Sequence, residues 1–132
     1  MSQENIELAR RAWDAVSRRD LDAFLALMDP EVVLVPRILA VEGGALHGHD
    51  GIREWWESIF SVFPDFDAEV IGVRGVGDMT ISNVRAHGRG EGSDTPFEDA
   101  IWVVSELRDG KVLRWQTFPS EAEALEAAEL SE

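Results

Sequence analysis

The chain has 132 residues, 26 of them acidic and 12 basic, for a formal net charge of −14. This balance excludes a nucleic-acid surface, which needs clustered cations to displace phosphate counterions, and it disfavours docking on anionic lipid. Hydrophobic residues make up 45% and there is no cysteine, so a folded chain is expected, without disulfides or thiolate chemistry. One domain spanning 1–132 is expected, with a core of useful size.

Ile6, Ala9, Trp13 and Val16 fall on one helical stripe in the first segment, behind Ser2 as a cap. The segment has no signal-peptide core and no apolar run approaches a membrane span, so a cytoplasmic location is the expectation. Asp20 caps a short second helix carrying Leu21, Phe24, Leu25 and Met28, which Asp29–Pro30 ends. Residues 31–39 are strand-like but contain Pro36, which cannot donate to a ladder. A loop with Gly43–Gly44 follows.

Residues 50–64 carry the sharpest pattern. Ile52, Trp55, Trp56, Ile59, Phe60 and Phe63 share one helical face, with Asp50 expected to cap the start and Pro64 to end it. Beyond Phe66 the period becomes that of strands: 68–76, 79–90, 97–107 and 112–118. Turns are expected at Gly77–Asp78, at 92–96 and at Asp109–Gly110, the last a strong hairpin signal. Ser120 and Glu123 form a capping box for a last helix carrying Ala124, Leu125 and Ala128. Helices set against an antiparallel meander give an α+β arrangement in which the aromatic helix closes a curved sheet over a pocket.

The order of these elements, with several local phrases, resembles the SnoaL-like polyketide cyclase branch of the nuclear transport factor 2-like superfamily. The phrases are Arg19-Asp20-Leu21-Asp22-Ala23, Asp29-Pro30-Glu31-Val32, Gly48-His49-Asp50-Gly51-Ile52-Arg53, Asp109-Gly110-Lys111-Val112 with Trp115, and Glu123-Ala124-Leu125. The resemblance implies the ketosteroid isomerase-like cone: a curved antiparallel sheet wrapped around a long helix, often a homodimer through the outer sheet face. It does not fix function, because one fold hosts many. The isomerase pattern itself fails. Its carboxylate positions fall on Val35 and Trp102, its tyrosine near Ala12 or Trp13, and this chain has no tyrosine. The Arg-x-Asp pair of limonene epoxide hydrolase lies near Arg85-Ala86-His87, but Thr117 replaces the second aspartate.

Two functions follow. The first is a cofactor-free acid–base enzyme of the isomerase, cyclase or hydrolase type, with His87 as base or acid and Arg85 stabilising a developing oxyanion. An imidazole titrates near neutral pH without tuning. Asn83, Arg85, His87 and Arg89 share one strand face, so this reading requires that face to line the pocket. In the alternative the face looks outward, and Val84, Ala86 and Gly88 point in. The second function is a non-catalytic module holding an apolar small molecule. Its wall residues are Trp56, Phe60, Trp102, Trp115 and Thr117, with Asn83, and His47 at the mouth beside Arg37 and Glu42. His47-x-His49 with Glu54 mimics a metal-ligand run, but three or four convergent ligands are needed. No metal and no cofactor are expected. Glu98 and Asp99, being adjacent on a strand, cannot pair across one substrate.

Overall fold

The computed structural model describes residues 2–35, 45–89 and 96–130. Pro36, Arg37, Glu42, the Gly43–Gly44 pair and the turn at 92–95 lie outside the described residues.

Helix α1, Ser2–Ser17, buries Leu8, Ala9, Ala12, Trp13, Ala15 and Val16. It ends where Arg19 takes a left-handed backbone, φ 57°, and the chain reverses. Helix α2, Leu21–Ala26, begins at Asp20, whose Oδ1 accepts the Ala23 N–H at 3.1 Å, as the spacing predicts. Strand β1, Met28–Val35, starts three residues earlier than expected, so Met28 is a strand residue and not the end of the helix. The two-residue strand β2, Leu46–His47, was not visible in the sequence pattern; it pairs with Val33 and Leu34.

Helix α3, Gly48–Val62, buries Ile52, Trp55, Trp56 and Ile59, with Phe60 and Phe63 half-buried against the same core. Its start corrects the sequence reading. The cap position is His47, without a side-chain cap bond, and Gly48 takes φ 69°. Asp50 is fully exposed inside the first turn and pairs with Arg53 at 3.1 Å. A carboxylate there still favours the helix dipole. The first-turn backbone is oriented instead by β2 and by His49, whose Nε2 lies 3.0 Å from the Met28 carbonyl oxygen.

Strands β3 (Asp67–Val76), β4 (Met79–Arg89), β5 (Pro96–Arg108) and β6 (Lys111–Phe118) form the predicted meander. The β5–β6 turn has positive φ at both Asp109 (54°) and Gly110 (76°), the conformation Asp-Gly favours in hairpins. The sheet runs β2-β1-β6-β5-β4-β3. Every pair is antiparallel except β1 with β6, which is parallel and joins Leu34 to Trp115. Helix α4, Glu121–Leu130, starts where Ser120 Oγ accepts the Glu123 N–H at 3.3 Å.

The strands alternate between two faces. One face presents Val84, Ala86, Ile101, Val103 and Trp115 to α1, α2 and α3 and forms the main core. On the other, Met79, Ile81 and Val104 pack under Ala124 and Ala128 of α4. The result is the curved α+β cone that the resemblance implied. Among the described residues no helix is long and apolar enough to cross a membrane.

Candidate functional site

The space between α1, α3 and the inner sheet face is the main hydrophobic core, in which Trp13, Phe24 and Trp115 are at most 2% exposed. A chain of ring contacts runs through it. Trp13 meets Trp115 at 4.9 Å between centroids, Trp115 meets Phe24 at 5.7 Å, and Phe24 meets Trp56 at 5.3 Å. Trp56 then meets Phe60 at 5.2 Å and Phe60 meets Phe66 at 5.9 Å. These tilted and edge-on arrangements are the ones the ring quadrupole favours. At the Phe60 end, the Arg19 guanidinium lies 4.6 Å over the Phe60 ring and donates to the Phe66 carbonyl at 3.3 Å. The left-handed turn at Arg19 thus aims a cation at the exposed end of the aromatic row.

Of the residues expected at the site, Trp56, Phe60 and Trp115 pack in or against this core, and Thr117 lies on the same sheet face. Thr117 pairs in register with inward-facing Val103, and its Oγ1 donates to the Val35 carbonyl at 3.4 Å. His47 does not join them: it is exposed, on β2.

The expected catalytic pair is placed elsewhere, and this corrects the sequence reading. Val84, Ala86 and Gly88 are buried, so Arg85 and His87 project from the outer face. Arg85 Nε lies 3.8 Å from Glu98 Oε1, both side chains more than half exposed. His87 Nε2 lies 4.0 Å from Asp67 Oδ2, both nearly half exposed. Exposed pairs at such distances contribute little. Neither side chain reaches the ring compartment, because β4 itself intervenes.

Trp102 and Asn83 share that outer face; they are register partners. Trp102 is therefore not part of the inner wall. The two line an open groove of about 270 Å³ with Gly72, Arg74, Ile81 and Glu121. Arg74 Nη2 bonds Glu121 Oε2 at 3.2 Å across its rim. Gly72 follows an irregularity in the β3–β4 register, and nothing lies within 4 Å of where its Cβ would stand.

Sequence reasoning missed the polar atoms that are buried. Thr80, Ser82 and Ser105 are 0% exposed, and their hydroxyls have no hydrogen-bond partner; the Trp13 Nε1 is likewise buried and unpartnered. They are the only buried polar or charged residues of the described core. No carboxylate, imidazole, ammonium or guanidinium is buried there among the described residues. Nor do three His, Asp or Glu side chains converge among them as a metal site requires. The carboxylate shift resolved among the described residues is remote. At Asp29 the Glu31 backbone N–H, followed by the Arg108 guanidinium at 3.4 Å, holds the carboxyl below its ordinary value.

The SnoaL-like domain family matches residues 9–115. No curated protein matches the chain. Among solved structures, a protein provisionally described as a SnoaL-like polyketide cyclase from Jannaschia sp. CCS1 is 20% identical, with TM-score 0.77 over 96% of this chain and 92% of that one. A Catenulispora acidiphila DSM 44928 protein with a ketosteroid isomerase-like fold, crystallised with trimethylamine, is 15% identical, with TM-score 0.77 over 93% and 92%. TerC, co-crystallised with polyporic acid, is 23% identical, with TM-score 0.75 over 96% and 98%. At these identities the likeness concerns the fold. The match of the family over residues 9–115 does more, and the chain belongs to the SnoaL-like domain family.

Proposed function

We propose that this protein binds an apolar, ring-bearing small molecule in the compartment between α1, α3 and the inner sheet face. One observation carries the reading: a continuous row of contacting aromatic rings fills the space between α1, α3 and the inner sheet face and reaches half-buried Phe60, with no buried titratable group among the described residues. Such walls suit flat apolar ligands, and TerC, of the same fold, was crystallised with polyporic acid. The competing reading, acid–base catalysis by His87 and Arg85, needs those groups beside the substrate, and they occupy the opposite face. Binding without chemistry is therefore the reading the geometry favours, and the proposal sets it in the cytoplasm.

Titration of the intrinsic tryptophan emission with fluorene tests it. Saturable quenching is expected, weakened at least tenfold by Trp56→Ala. Emission that ignores fluorene sinks the proposal, and turnover of a ring-bearing ketone or epoxide that His87→Ala abolishes restores the enzyme reading.

The outer sheet face suits a homodimer, in line with the resemblance. It carries Arg85 and His87, with Ile71, 51% exposed, on the neighbouring strand. Sedimentation velocity is expected to show a dimer that Ile71→Asp weakens; a monomeric parent protein refutes it.

A further inference from the structure

We propose that the open groove beside α4, on the outer sheet face, is a binding site for a small, uncharged, planar nitrogen heterocycle that presents an amide edge, such as a lactam. The site is separate from the aromatic core, because the sheet lies between the two.

The register builds the groove. Gly72 pairs with Asn83, Asn83 with Trp102 and Trp102 with Phe118, so the four stand in one row across β3, β4, β5 and β6. The next row toward α4 holds Arg74 and Ile81, which are also register partners. Glu121, the first residue of α4, closes the rim through its 3.2 Å bond to Arg74. The row of four has a gap at Gly72. The register of β3 against β4 slips between Val70 and Gly72, with Ile71 as the extra residue. Such a bulge bends a strand and re-aims its side chains, and a glycine inside a strand is one way of leaving room for a ligand. Nothing lies within 4 Å of where a Gly72 Cβ would stand, so the missing side chain opens the groove.

The groups that line this space are unused. Neither the Asn83 side-chain amide nor the Trp102 Nε1 has a hydrogen-bond partner among the described residues. Both residues are half-buried, yet none of these atoms is sealed from solvent, unlike the unpartnered atoms of the core. A primary amide sets an acceptor oxygen beside donor N–H groups. It therefore pairs in two bonds with a ring edge that offers a donor next to an acceptor, as asparagine does with the edge of adenine. Trp102 and Ile81 supply apolar surface for the ring. The volume of about 270 Å³ lies just under the range of roughly 300–1,000 Å³ that drug-sized ligands occupy, which leaves room for one or two fused rings. The occupant is uncharged: Arg74 is already paired with Glu121, and a net charge of −14 repels anions.

The test is a titration of the native protein with quinolin-2-one and with 1-methylquinolin-2-one, which lacks the ring N–H donor. It is followed by amide NMR, in which the Asn83 side-chain and Trp102 indole N–H signals are read directly. Both signals are expected to move saturably with quinolin-2-one, which binds about fivefold more tightly than its methyl derivative, the worth of one neutral hydrogen bond. Asn83→Leu is expected to remove that preference while the Trp102 signal still responds to both probes. Gly72→Val is a second variant in which nothing crowds the new side chain's Cβ. It is expected to abolish binding of both probes and to leave fluorene binding unchanged. Equal affinity of the two probes for the native protein overturns the proposal, as does a preference that survives Asn83→Leu or native-like binding by Gly72→Val. Signals that ignore both probes at millimolar concentration also overturn it, and in a protein that sediments as a dimer they assign the groove to a second copy of the chain.

Discussion

The two faces of the sheet are built from the same strands, residue by residue in alternation, and they hold opposite kinds of chemistry. On β4 the outward residues Asn83, Arg85 and His87 carry the groups usually sought in an active site, and they meet solvent and weak ion pairs. The inward residues Thr80 and Ser82 carry plain hydroxyls, and they are wholly buried without partners. The difference teaches that reactive side-chain type and functional placement are separate questions.

Truncations on the two faces set the contrast most sharply. Trp115→Ala removes a ring that is 1% exposed and touches Trp13 and Phe24, and it should cost about 3–5 kcal/mol in urea unfolding. Trp102→Ala, on the half-buried outer side, should cost only about 1–2 kcal/mol. Equal losses would erase the distinction between a core face and a groove face. Gly72→Ala should raise stability by about 0.4–1 kcal/mol, since the added methyl meets nothing within 4 Å and the unfolded chain loses freedom. A loss of stability there would mean the groove floor is not open. His87→Ala and Arg85→Ala should each change stability by less than about 0.5 kcal/mol and leave fluorene binding alone.

The smallest effect is a pH dependence away from both faces. Asp29 is held below its ordinary value of 3.8 by the Glu31 N–H and by Arg108. A carboxyl with a lowered folded-state pKa stabilises the protein above its unfolded value, and that contribution disappears as pH falls from about 4 through the folded value. Asp29→Asn should therefore narrow the stability gap between pH 6 and pH 3 in thermal melts. An unchanged gap would show that Asp29 is not linked to folding.

The elements were legible because their periods are strong. The aromatic stripe of α3 and the Asp109–Gly110 turn each point to one local structure. The start of α3 was not legible: Asp50 is a good cap by type, but β2 and the left-handed Gly48 put the cap three residues earlier, at His47. The phase of β4 was hidden for a different reason. Helix α4 covers its outer side at Met79 and Ile81, so both faces of one strand carry apolar residues, and alternation alone gives no sign of which is inside. The same ambiguity misplaced Trp102. The burial of Thr80, Ser82 and Ser105 was invisible for the complementary reason that serine and threonine are ordinary surface residues until the strands are laid side by side.

The parallel pairing of β1 with β6 has a consequence in time. It joins Met28 to Val112, and the Val112 N–H also donates to the Leu27 carbonyl at 2.8 Å. The meander β3–β6 is local and can zip from its hairpins, but β1 can join the sheet only once the last strand is in place. During synthesis β1 must therefore wait for its partner strand, and Phe24 for the ring of Trp115, until β6 has left the ribosome. A concentration of 26 acidic residues over a chain of this length supplies the like-charge repulsion that keeps such waiting chains apart.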